Sequence, residues 1–250
     1  MSEEGPAPEA AVDGGYMAES RTFAMATVSI LPLMFVYHWG IIQSGYGERN
    51  LAQAWLVGPL QLVGLEAAHL LNVAMVIALL AVLWHSGRAK SFNLLAVAGI
   101  VGEAVFYAAL LYKGAPALAG LLDERASGLA FAINWPAHAP FCLALGAGVY
   151  EELLFRLLLI GGGALLLGKV FMWTRPPSVA VMLVISSLLF AAAHHVGPLG
   201  EPFESYSFLY RAVCGVLLGV VFLTRGLGVA AWTHSIYNAL VLAQQAGYGS

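Results

Sequence analysis

The sequence predicts an all-α fold: a polytopic bundle of about seven transmembrane helices, eight if one short apolar stretch also crosses. Three observations carry this expectation. Of 250 residues, 60% are hydrophobic and only 10% are Asp, Glu, Lys or Arg, with a mean hydropathy of +0.80. A soluble domain carries roughly 25% charged residues to solvate its surface, so most of this chain's outer surface must face lipid. In hydrocarbon the backbone must satisfy its own hydrogen bonds, which leaves helices or a closed barrel. Long apolar runs such as 70–83 and 179–193 do not alternate as barrel strands would.

The elements follow in order. Residues 1–20 hold Glu3, Glu4, Glu9, Asp13 and Glu19, no base, and scattered Gly and Pro. They read as a disordered acidic tail. The tail lacks the positive start of a signal peptide, so the first apolar segment is expected to persist in the mature protein. Residues 21–250 read as a single transmembrane domain, with spans at about 22–43, 63–84, 92–112, 138–160, 178–196, 208–224 and 227–245. Stretch 161–172 is apolar but short: a re-entrant turn, a tail of the fourth helix, or part of an eighth span. Residues 50–60 and 114–136, with Pro59, Pro116 and Pro136, read as interfacial. Trp55, Trp135 and Trp173 suit the headgroup level there.

Cys142 and Cys214 lie in apolar runs and are expected to be buried spectators. There is no basic cluster to neutralise phosphates, so nucleic acid is not an expected partner; the lipid bilayer is. With seven spans, the N-terminal face would hold Arg21, Arg88, Lys90, Lys169, Arg175 and Arg225, and the other face Arg49, Lys113, Arg125 and Arg211. Six against four favours a cytoplasmic N-terminus. Arg outnumbers Lys eight to three and Ala, Gly and Leu abound, a composition that suggests a bacterial, inner-membrane protein.

Ionisable groups within spans cost roughly 2.5–3.5 kcal/mol each and mark function by default. Three places collect them. In Tyr150-Glu151-Glu152-Leu153-Leu154-Phe155-Arg156, Glu152 and Arg156 are four apart and can pair on one helix face. Glu151 is turned about 100° away, without that partner. Phe190 and His194 share a face at the end of the fifth span, followed by His195. His234 and Asn238 share a face in the last span. Each motif alone has a packing explanation, a salt bridge or an interhelical hydrogen bond. Three spans each turning a polar face inward are harder to explain so. A carboxylate and an imidazole can activate a water between them, and an imidazole with an amide can stabilise an oxyanion.

Glu-Glu-x-x-x-Arg, Phe-x-x-x-His and His-x-x-x-Asn, on successive spans, resemble the CPBP family, which groups CAAX prenyl proteases with bacteriocin-processing, Abi-type proteins. The resemblance covers about 138–245, the motif-bearing core. It implies a glutamic-type intramembrane endopeptidase without cofactor or metal, acting on a membrane-associated protein or peptide. Glu151 and His194 would activate water, and His234 and Asn238 would form the oxyanion hole. Glu152 and Arg156 would support them. The Phe-x-x-x-His spacing selects His194, with His195 one step away. Other readings keep the fold: a zinc protease using Glu151, His194 and His234, or a non-catalytic scaffold or immunity protein. A proton-coupled transporter would use Glu66, beside His69, and Glu103 as a relay, but no inverted repeat accompanies them.

Overall fold

An apolar stretch in lipid can satisfy its peptide groups only along its own axis, and the stretches read as spans are helical wherever the computed structural model describes them. The structure describes residues 15–44, 52, 53, 55, 77, 80, 81, 84, 93–124, 141–197 and 200–248, without the side chains of Ile41 and residues 245–248. Among them lie seven helices and no strand: α1 (Gly15–Ser20), α2 (Phe23–Ser44), α3 (Leu94–Leu122), α4 (Phe141–Val170), α5 (Arg175–Ala193), α6 (Ser205–Arg225) and α7 (Leu227–Tyr248). Helix α4 is continuous but not uniform. It is α-helical over Phe141–Glu151, π-helical over Glu152–Gly162 and α-helical again over Gly163–Val170. The expected span at 63–84, with Glu66 and His69, falls largely outside the described residues, as do Pro59, Trp135 and Pro136.

Local chemistry sets the boundaries. Asn93 caps α3, its side chain accepting from the Ala96 N–H at 3.3 Å. Pro176 and Pro177 open α5, where a missing N–H costs no helical bond. Gly226, at φ 89°, takes the left-handed backbone that turns α6 into α7.

One boundary differs from expectation. Helix α3 runs ten residues past 112, straight through Pro116. Its buried stripe Ala96, Ile100, Ala104, Ala108, Leu111, Ala115 and Ala119 keeps three- and four-residue spacing across that proline. Packing of small residues against α7 outweighs the one lost hydrogen bond. Of the three readings left open for stretch 161–172, the structure takes the tail of the fourth helix, to Val170.

Five helices, α2 to α6, are long and apolar enough to cross a membrane. Large apolar side chains such as Phe35, Trp39, Leu95, Leu121 and Leu165 point outward from them, as a lipid-facing surface requires. Helix α7 carries Thr233, His234, Ser235, Asn238 and Gln244 and is less apolar. It is the inner helix, packed against α2, α3, α4 and α6.

Helices α2, α3, α5 and α7 run in one direction and α4 and α6 in the other, as the contacts of successive residues show. Ser235 meets Gly148 and Leu145 while Ala231 lies in one cluster with Val149. Gly215 meets Ser187 while Gly219 meets Leu183. One face thus holds α1, the start of α3 and the end of α6. The opposite face holds the end of α5 and the start of α6.

Candidate active site

Glu152 and Arg156 are fully buried, and Glu151 is 7% exposed. Arg156 Nε lies 3.3 Å from Glu152 Oε2, the pairing that the four-residue spacing predicts. The contact is ionic; neither atom has hydrogen-bond alignment to a described partner. The guanidinium gains other support. Nη2 donates to the Gly215 carbonyl on α6 at 3.3 Å, and the group sits 4.6 Å from the centroid of the Phe190 ring, a cation–π contact. The π segment begins at Glu152 itself. Such geometry is uncommon and often found at functional sites. Within it, the Phe155 carbonyl accepts from Ser186 Oγ on α5 at 2.5 Å.

His234 of α7 stands between the two carboxylates. Its Nδ1 is 2.8 Å from Glu152 Oε1 and its Nε2 is 3.5 Å from Glu151 Oε2. The carboxylate of Glu152 therefore takes the Nδ1–H. Glu151, which lacked a partner on its own helix, finds one across the bundle. Asn238, one turn further on, donates from Nδ2 to the Ala144 carbonyl at 3.2 Å. Helices α4 and α7 come this close because position 148 is glycine. A Cβ there would lie 2.5 Å from the Ser235 nitrogen.

His194 ends α5. Its Nδ1 is 2.7 Å from the Phe190 carbonyl. A carbonyl only accepts, so Nδ1 carries the proton and the neutral ring keeps its lone pair on Nε2. His194 and Glu151 line one narrow crevice with Ala193, Phe155, Ala52 and Trp55. His195 is turned elsewhere: its Nδ1 lies near the carbonyls of Glu201 and Pro202, and its ring packs on Phe203. Phe190 is the hub of the cluster, edge-on to His194 at 4.9 Å, to His234 at 5.8 Å and to Phe155 at 5.4 Å.

The structure thus brings Glu151, Glu152, Arg156 and His234 into direct contact. It sets His194 on the same crevice as Glu151, and Asn238 on the α4–α7 seam. Two ion pairs were not foreseen in the sequence. Arg211, 5% exposed, pairs with Glu201 at 2.6 Å beside the site. An arginine within an expected span was signal enough. Glu103, which looks solitary in sequence, is bound in two-pronged fashion by Arg225, at 2.9–3.2 Å. That pair lies on the α1 face, away from the crevice. Among the described residues no group of three or more His, Cys, Asp or Glu is arranged to hold a metal ion.

Residues 133–240 match the family model described as type II CAAX prenyl endopeptidase Rce1-like. No curated protein and no solved structure matches the chain.

Proposed function

We propose, from the similarity of residues 133–240 to the Rce1-like type II CAAX prenyl endopeptidase model and from the geometry of the site, that this chain is an intramembrane endopeptidase. It hydrolyses a peptide bond in a membrane-associated protein or peptide. The observation that carries the mechanism is the shared crevice: a carboxylate, Glu151, and an imidazole with its Nε2 lone pair available, His194, line one narrow opening within the bundle.

A water between them loses a proton to Glu151 as its oxygen bonds to the scissile carbonyl carbon. His194 Nε2 accepts the second water hydrogen and orients the attacking lone pair. Negative charge then grows on the carbonyl oxygen. His234 and Asn238 are the donors for it. Because Glu152 takes the Nδ1–H of His234, donation from Nε2 requires the doubly protonated ring. Asn238 has one amide hydrogen beyond the one given to Ala144. When the C–N bond breaks, the proton held by Glu151 passes to the leaving nitrogen, and the carboxylate is restored. Arg156 and Glu152 hold His234 and the π segment in place.

The substrate class that suits a crevice within the membrane is a tethered chain cut close to the bilayer, by CAAX-type or C-terminal sorting-tag processing. Glu151→Gln tests the reading because it removes the base and keeps the shape. Cleavage is expected to be abolished with folded protein retained. Full activity of that variant would end the glutamic mechanism.

A further inference from the structure

A second buried guanidinium lies next to the crevice, and the mechanism above leaves it unused. Arg211 is on α6, one turn from the Gly215 carbonyl that Arg156 holds. Helix α6 runs antiparallel to α5, with Gly215 opposite Ser187, so Arg211 lies toward the His194 end of α5.

The pairing of Arg211 is one-sided. Its anionic partner, Glu201, comes from the connection between α5 and α6 and is 25% exposed, against 5% for the arginine. Glu201 binds through Nη2 alone, and Nε has no hydrogen-bond partner among the described residues. A guanidinium fork holds a carboxylate best with two parallel N–H donors, so this one is half used. A carboxylate arriving from the solvent side could replace Glu201 without exposing Arg211. The geometry points to Arg211 as the receptor for the free C-terminal carboxylate of the substrate, with Glu201 as its resident stand-in. The inference rests on the peptidase reading above.

The competing role is mechanical. The Glu201 N–H also donates to the His194 carbonyl at 2.8 Å, so the ion pair could merely pin that connection.

Purified protein and an S-farnesyl peptide ending in Cys-Val-Val-Ala, made as free acid and as C-terminal amide, separate the two roles. The wild type is expected to favour the acid in kcat/KM by about 10–100-fold, the worth of a hydrogen bond to a charged group. Arg211→Gln is expected to bring the acid down to the amide's level and leave amide cleavage within twofold. Glu201→Gln, which keeps the receptor and removes its stand-in, is expected to lower KM for the acid alone. Equal use of acid and amide by the wild type would overturn the proposal and leave the protease standing. So would parallel losses on both peptides in Arg211→Gln and Glu201→Gln, the signature of a pin. No cleavage of either peptide, or of a membrane-tethered protein substrate, would remove the peptidase reading and this proposal with it.

Discussion

Both oxygens of Glu152 are committed, one to His234 Nδ1 and one to Arg156, whereas among the described residues Glu151 meets only the far nitrogen of the same imidazole and lines the crevice. The two neighbours should therefore fail differently. Glu152→Gln strands a fully buried guanidinium, a loss of about 3–5 kcal/mol, and the variant should unfold earlier as well as lose activity. Glu151→Gln should unfold near the wild-type temperature and be inactive. Thermal unfolding in detergent beside specific activity decides the point; equal stability in both variants would contradict the assignment. Asn238 allows a similar division by magnitude. Its hydrogen bond to Ala144 spans two helices, and such bonds in membranes average only about 0.6 kcal/mol. An oxyanion donor is worth a factor of about 100–1,000 in the chemical step. Asn238→Ala should thus cut single-turnover cleavage at least a hundredfold with little change in unfolding temperature. A marked fall in stability with an unchanged rate would return Asn238 to packing.

At the scale of elements, helix positions were legible because lipid makes apolar length nearly sufficient: α2, α5, α6 and α7 lie within a few residues of their expected spans. The extension of α3 was not read, because Pro116 looks like a terminator and only the continuing alanine stripe says otherwise. Four-residue spacing gave the Glu152–Arg156 pair. It could not give the π turn that begins at Glu152, or the bond from Glu152 to His234, which depends on how closely α7 approaches α4. That approach rests on Gly148. A side chain there meets Ser235 at 2.5–2.7 Å, mostly backbone atoms that cannot swing aside. Gly148→Val should destabilise by about 1–3 kcal/mol through overpacking. By moving His234 from the carboxylates it should also lower turnover in whatever folds. Unfolding temperature and activity of the purified variant test this; wild-type values for both would mean that the seam is looser than described.

For the molecule as a whole, the site has a side. Helix α1 is fixed to the end of α6, where Arg225 donates to Ser20 Oγ at 3.0 Å and to Glu103. The crevice lies toward the other end, where α5 stops at His194 and α6 begins. Helix α6, Ser205–Arg225, is about 31 Å long at 1.5 Å per residue, enough to separate the two regions by the thickness of a hydrocarbon core. The charge count gives direction. Arg225 and Arg211 are neutralised in ion pairs, and without them the N-terminal face still leads by five bases to three under the seven-span reading. That count predicts a cytoplasmic N-terminal face, with the crevice nearer the opposite side. Single cysteines test this, since Cys142 and Cys214 are buried and should stay silent. Met17 and Val196, 57% and 54% exposed, mark the two faces. In right-side-out vesicles a membrane-impermeant maleimide should label Val196→Cys and spare Met17→Cys until the membrane is opened, with the order reversed in inverted vesicles. The opposite order would keep the bundle and overturn only the charge argument. Labelling of both from one side would contradict the placement of the crevice across the membrane from α1.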